Sequence, residues 1–294
     1  MATNSQQLAK TLSSSVFLSR GRSLWELNQQ NWELPLTKIE KLLVGMYVIL
    51  EDYSQGKFPP RFDDQKLAHD AEIAYRFSLP GLTEFDVADS EIRKPFWFGS
   101  ATGKYLTDFI NLVFVLEKLQ ISPPQKLLEL GCGTGWMSEF LALMKFEVMA
   151  TSISPHDIRD AQTRIKSLEA KNLKPNLEFI VSSMETVAES VQNQGLFDTV
   201  LVFEALHHAY DWRKAINSSY SCLKSGGWLL VCNEPNFFHT AVSYRIAKLS
   251  NTHEIGFKRS ELIHHLKQTG FQDIQIMKNK MDWLVKPHWI AAQK

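Results

Sequence analysis

The chain has 294 residues, 44% of them hydrophobic, with 32 basic side chains balanced by 32 acidic ones. That composition suits a packed globular protein of one large domain or a core with an addition. No run of Lys and Arg marks a nucleic-acid footprint, and no apolar run approaches the ~18 residues of a membrane-spanning helix. Three cysteines, Cys132, Cys222 and Cys232, lack the short paired spacing of a zinc site, so no metal is expected. Their odd number suits a reducing compartment better than a disulfide framework.

The opening is Ser-rich, with Lys10, Arg20 and Arg22 and no acidic residue before Glu26. An organellar transit peptide has that flavour; a loosely ordered N-terminus of a cytoplasmic protein is the plainer expectation. Residues 1–100 show helical periodicity without strands. Ile39, Leu42, Leu43, Met46 and Ile49-Leu50 share one face, and Gly56-Lys57-Phe58-Pro59-Pro60 interrupts the pattern. A second helix is expected from Asp64 to Phe77, ended by Pro80-Gly81. An aromatic knot, Phe96-Trp97-Phe98-Gly99, precedes a helix from Tyr105 to Leu119, which Ser122-Pro123-Pro124 stops.

From Gln125 onward, strand and helix patterns alternate, which argues a parallel sheet with crossover helices. Strands are expected at Lys126–Leu130, Glu147–Ser152, Leu177–Val181, Thr199–Phe203 and Trp228–Cys232. Helices fall between them at Trp136–Lys145, Pro155–Ala170, Thr186–Val191 and Trp212–Leu223. Ser154 before Pro155 makes an N-cap followed by a proline in the first turn. A longer segment, 235–258, then separates the fifth strand from a helix at Ser260–Thr269 capped by Gly270. Two extended stretches follow, near Ile274–Met277 and His288–Ala292.

The richest stretch is Leu127-Leu128-Glu129-Leu130-Gly131-Cys132-Gly133-Thr134-Gly135. An apolar strand breaks into three glycines and then enters a helical pattern at Trp136-Met137, Phe140-Leu141 and Met144, as nucleotide-type sites of α/β folds do. The register is G-x-G-x-G rather than the G-x-G-x-x-G of dinucleotide sites. Glu129 at the strand end also suits a cationic ligand better than a pyrophosphate.

These residues resemble the first motif of class I S-adenosylmethionine-dependent methyltransferases, and of their type 11-like small-molecule members in particular. Further segments extend the resemblance: Val148-Met149-Ala150-Thr151-Ser152-Ile153-Ser154-Pro155, Phe179 to Glu185, Phe197 to His208, and Leu223-Lys224-Ser225-Gly226-Gly227-Trp228. The resemblance implies a Rossmann-like α/β fold with a seven-stranded sheet whose last strand is antiparallel. It implies a helical N-terminal region over 1–100 that helps select substrate, and a methyltransferase domain over 101–294 with a lid at 235–258.

The resemblance also implies which residues hold S-adenosylmethionine. They are Glu129, Gly131, Cys132, Gly133 and Gly135 in the first motif, Ser152 and Ile153 after the second strand, Ser183 and Met184 after the third, and Phe203 and Glu204 after the fourth. Ser152 and Ser183 stand where the family places carboxylates, a departure that removes two charge-assisted bonds. Glu185 lies near enough in sequence to replace one of them. Asp198 is expected to be structural. His207 and His208 are the general-base candidates, although methyl transfer needs little acid–base help once the acceptor is aligned. Trp97, Phe98 and Tyr105, with Phe237 and Tyr244 of the insertion, are expected to cap the cofactor or the substrate.

The expected activity is methyl transfer to an O, N or C nucleophile of a small hydrophobic or ring-bearing metabolite, with no nucleic-acid partner. A methyltransferase-fold scaffold without catalysis is the alternative that the two serines support. A nicotinamide-dependent oxidoreductase is disfavoured by the glycine register. The sequence does not fix the oligomeric state.

Overall fold

The computed structural model describes residues 15–96, 100–277 and 287–294. Its elements run in the order α1 (Val16–Asn28), α2 (Lys38–Ser54), α3 (Gln65–Ala74), α4 (Glu84–Ile92), α5 (Ser100–Lys118), β1 (Lys126–Leu130), α6 (Trp136–Leu143), β2 (Glu147–Ser152) and α7 (Pro155–Glu169). There follow β3 (Leu177–Val181), α8 (Val187–Ser190), β4 (Phe197–Phe203), α9 (Trp212–Cys222), β5 (Leu223–Glu234), α10 (Thr240–Ser250), α11 (Arg259–Thr269), β6 (Ile274–Ile276) and β7 (His288–Gln293). Among the described residues no helix is long and apolar enough to cross a membrane.

The chain divides into two compact units. The larger runs over Phe85–Glu234 and Phe257–Lys294 and is built on a seven-stranded sheet of order β3-β2-β1-β4-β5-β7-β6. The first five strands are parallel, while β7 lies antiparallel to both of its neighbours. Both faces of the sheet are covered, as parallel sheets require. Leu128, Leu130, Val200, Val202, Leu229 and Val231 belong to one buried cluster. The alternate residues Leu127, Leu201, Leu230 and Cys232 belong to another, with Trp136, Met137 and Leu141 of α6. Asp198, as expected, is structural: its carboxylate accepts from the Lys126 amide at 2.8 Å and from Lys224 Nζ at 2.7 Å, joining β1, β4 and β5.

The smaller unit consists of the described residues up to Glu84 together with Pro235–Gly256. The sequence pattern left 235–258 without an element, yet it contains α10. There Tyr244 and Ala247 join Trp25, Leu36, Val44, Tyr47 and Val48 in a single cluster. The buried face of α2 is Leu43, Val44, Tyr47 and Val48, which shares only Leu43 with the stripe of the periodicity, although Ile49 packs at its margin. Ile39 is 71% exposed, and Leu42 and Met46 are also exposed. The helix is apolar on more than one side, so spacing alone could not choose its inner face. Its start is specified locally by a capping box: Thr37 Oγ1 accepts from the Glu40 amide at 3.2 Å while Glu40 accepts from the Thr37 amide at 3.0 Å.

Candidate active site

The strand order reverses between β1 and β4, and ligands of open α/β sheets bind outside the C-terminal strand ends at such a switch point. The loop leaving β1 there carries Gly131, Gly133 and Gly135 at φ of +72°, +53° and +74°. A Cβ on Gly131 would lie 2.6 Å from both Ala205 Cβ and Met184 Cε; one on Gly135 would lie 2.5 Å from the Phe179 ring. The loop therefore needs glycine for conformation and for close approach. The Cys132 amide anchors it by donating to the Thr151 carbonyl at 2.8 Å. Arg164 of α7 holds it from outside, donating from Nε to the Thr134 carbonyl at 2.7 Å and from Nη1 to Glu139 at 2.9 Å. The same guanidinium reaches the carbonyls of Ile92 and Lys94 past the end of α4.

Glu129 lies inside β1 on the face of Leu127, toward α6, where Ser138 donates a hydrogen bond to it. It is 3% exposed. Burial pushes its carboxyl up to about 7, with the Ser138 bond pulling the other way. The sequence suggests Glu129 beside a cationic ligand; its burial disfavours the charged form, and an approaching positive charge would favour it.

Ser152, at the end of β2, is buried, and its Oγ donates to Asp157 Oδ2 at 2.9 Å while accepting the Ser154 amide at 3.2 Å. A carboxylate thus stands one hydrogen bond behind the expected position, on the first turn of α7. Ile153 beside it is half-buried. After β3, Ser183 hydrogen-bonds Thr186 at 2.9 Å, and Met184 packs beneath Gly131. Glu185 accepts the Asp211 amide at 3.1 Å, a tie to the start of α9.

Left-handed backbone recurs at the ends of β4 and β5. Glu204 and Asn233 adopt φ of +49° and +57°, a left-handed conformation that costs non-glycine residues energy and gathers at functional sites. Asn233 Nδ2 donates to Asp108 Oδ2 at 3.3 Å and to Glu204 Oε2 at 3.4 Å, and Lys104 pairs with Glu204 at 3.1 Å. Burial pushes the Asp108 carboxyl up to about 6, against the pull of Lys104. Phe203 packs edge-on to Trp289 at 5.7 Å.

Beyond Glu204, the chain wraps around Glu234, which has no exposed surface. Its carboxylate accepts the amides of Ala205 and Leu206 at 2.7 and 2.8 Å and that of His207 at 3.3 Å. It also meets His207 Nδ1 at 2.9 Å. The ring of His208 lies 4.2 Å from that of His207.

The expected cap residues fare differently. Trp97 and Phe98 lie outside the described residues. Tyr105 is half-buried, its ring 5.6 Å from Trp136. Phe237 is exposed. Tyr244 is a correction: it is 2% exposed and its hydroxyl donates to Asp52 at 2.9 Å, so it is a core residue of the smaller unit rather than a substrate contact. Three residues escaped the sequence reading: Glu234, Asp157 and Arg164. An acid in a strand's last position, like Glu234, is a signal that could have been used; Arg164 leaves none, because its partners are mostly backbone carbonyls.

The residues present fit S-adenosylmethionine. The positive-φ glycines bring bare backbone to the end of β1, and Ser152, Asp157 and Glu204 are polar side chains that would hold the ribose and the cationic end of the cofactor. A family model described as a methyltransferase domain matches residues 93–276. The ubiquinone biosynthesis O-methyltransferase of Xanthomonas euvesicatoria pv. vesicatoria is 31% identical over 172 residues, which span 55% of this chain and 69% of that enzyme. A match of the same identity to the enzyme of that name from Albidiferax ferrireducens spans 36% of this chain and only 39% of the relative. Among solved structures, an O-methyltransferase family protein from Burkholderia thailandensis superposes with a TM-score of 0.56 at 14% identity, over 91% of this chain and 76% of that one. Magnesium protoporphyrin IX methyltransferase from Synechocystis PCC 6803, solved with bound SAH, gives 0.54 at 19% identity, over 79% and 100%. These two share the fold. Sheet order, glycine loop and family match agree: the chain belongs to the class I S-adenosylmethionine-dependent methyltransferases, with S-adenosylmethionine as its cofactor.

Proposed function

We propose that this methyltransferase acts on a hydroxyl oxygen of a small, ring-bearing or hydrophobic metabolite, with His207 as general base and Glu234 orienting it. The observation that carries the reading is the 2.9 Å contact between His207 Nδ1 and a Glu234 carboxylate without exposed surface. With Nδ1–H donated to that carboxylate, Nε2 keeps its lone pair, a tautomer assigned from the hydrogen-bond pattern. A phenolic hydroxyl, with a pKa of about 10, is a weak nucleophile until its proton leaves. The imidazole would take that proton as the oxygen displaces S-adenosylhomocysteine from the methyl carbon, the carbon–sulfur bond breaking, and Glu234 would offset the imidazolium charge. Bound S-adenosylmethionine supplies an activated methyl group on a sulfonium. Oxygen, rather than nitrogen or carbon, is the preferred acceptor atom because the curated relatives are named O-methyltransferases. The half-buried ring of Tyr105 in the catalytic unit favours a ring-bearing acceptor.

The test is methylation of a panel of catechols, alkylphenols, arylamines and activated methylenes, with the product atom identified by mass spectrometry. Turnover should favour phenolic oxygens. His207→Ala should lower kcat by about 10²–10⁴, the range of general-base contributions, while the affinity for S-adenosylhomocysteine holds. Undiminished turnover of phenols by His207→Ala, or methylation confined to amines, would sink the reading.

A further inference from the structure

We infer that the smaller, helical unit carries an oxyanion site built on Arg245, and that a carboxylate is the ligand it fits. Arg245 sits on α10 and is 7% exposed. A guanidinium has five N–H donors. Here Nη1 donates to Asn28 Oδ1 at 2.8 Å, while Nε is enclosed and has no hydrogen-bond partner. Among the described residues no Asp or Glu pairs with Arg245; the titratable group acting on it is the Tyr75 phenol.

The neighbours cannot supply what is missing. Asn28 is fully buried, and its amide donates to the carbonyls of Asn31 at 2.9 Å and Trp32 at 3.2 Å, so its single oxygen is fixed on Nη1. Three described acids of the unit contact other groups. Asp52 accepts from Tyr244 and Lys248, Glu72 lies against His253 at 3.5 Å, and Glu254 accepts from Thr252.

A guanidinium can only donate, so the complement it calls for is an acceptor. A buried cation without a counter-charge is costly, and a ligand that supplies the charge offsets that cost. With Nη1 engaged by Asn28, the remaining Nε–Nη2 edge is the planar fork that matches a carboxylate bidentately. The site is independent of the methyl acceptor's identity, and its test does not pass through catalysis.

That test uses the full chain, with benzoate, hexanoate and inorganic phosphate as probes at matched ionic strength, read by thermal shift and calorimetry. At least one carboxylate should raise Tm by mass action and bind measurably at about 10 mM or below. Arg245→Met should keep or raise the ligand-free Tm, abolish the carboxylate shift and leave S-adenosylhomocysteine affinity intact. Arg245→Lys, with charge but no fork, should weaken carboxylate binding by about tenfold, as loss of one charge-assisted bond would. Failure of all probes to bind, or a carboxylate shift that survives in Arg245→Met, overturns the site. Phosphate binding more tightly than both carboxylates overturns the choice of a planar ligand.

Discussion

Ser152 at the end of β2 donates its only hydroxyl proton to Asp157, 2.9 Å away on the first turn of α7. One Ser152 lone pair takes the Ser154 amide, which leaves one more acceptor beside the Asp157 carboxylate. In the usual arrangement of such folds, an acid after the second strand serves the ribose. Here the acceptors are divided between a hydroxyl and a carboxylate one side chain further back.

Asp157→Asn is therefore expected to weaken S-adenosylhomocysteine binding by about tenfold, the effect of one charge-assisted hydrogen bond. Ser152→Asp placed in that background should restore it. Calorimetry with a 2′,3′-dideoxy analogue separates binding from capping, because the analogue should be indifferent to residue 157. An equal loss for both ligands would assign Asp157 to the helix terminus alone.

Glu129 carries a pH signature. Its folded-state carboxyl titrates at about 7, above the ordinary value of 4.5 that the unfolded chain keeps. Between those values the unfolded state binds fewer protons than the folded one, so stability falls as pH rises from about 4.5 through 7. Glu129→Gln removes that slope and should be more stable than the parent at pH 8, by on the order of 3 kcal/mol. Denaturant midpoints at pH 5 and pH 8 decide it. A parent and variant that keep the same stability difference at both pH values would show Glu129 ionised throughout.

The glycine loop is a steric test. Gly131 has φ of +72°, and an added Cβ would lie 2.6 Å from Ala205 Cβ and Met184 Cε. The strain of a left-handed non-glycine residue is about 1–3 kcal/mol before any displacement of Ala205. Gly131→Ala should lower Tm and reduce S-adenosylhomocysteine affinity together. Pairing it with Met184→Ala should recover part of both losses, since the shorter side chain vacates one of the two clashes. Absence of any coupling between the two substitutions, measured as a double-mutant cycle, would mean the loop relaxes by another route.

The catalytic unit was largely legible because its signals are local. Three glycines, a cap at Ser154 and strand runs bounded by turns each reveal an element within a few residues. All seven strands stand where the sequence placed them, although β5 starts at Leu223 rather than Trp228 and runs to Glu234. Glu234 and Arg164 were not legible, because each acts on backbone groups brought to it by the fold, and no periodicity records such a partner. The pairing of Asp52 with Tyr244, 192 positions apart, is hidden for the same reason. Ser152 was read as a loss of charge; only the fold shows that the carboxylate five residues on had moved behind it.

That long-range pairing is itself testable. Asp52 is 3% exposed and accepts from the Tyr244 hydroxyl and from Lys248 Nζ, both at 2.9 Å. Tyr244 also packs edge-on to Phe58 at 5.1 Å, so its ring keeps its packing when the hydroxyl is removed. Tyr244→Phe should cost about 1 kcal/mol, the net value of one hydrogen bond. Asp52→Ala leaves the buried phenol unsatisfied and should cost more, about 2–3 kcal/mol; half-exposed Lys248 adds little, because water solvates it. The double variant should cost less than the two losses combined, since the phenol that Asp52→Ala strands is gone. Both substitutions should also speed proteolysis within 235–256, because α10 shares its core with α2. Strictly additive costs, with cleavage unchanged, would mean that the inserted helix folds without help from Asp52.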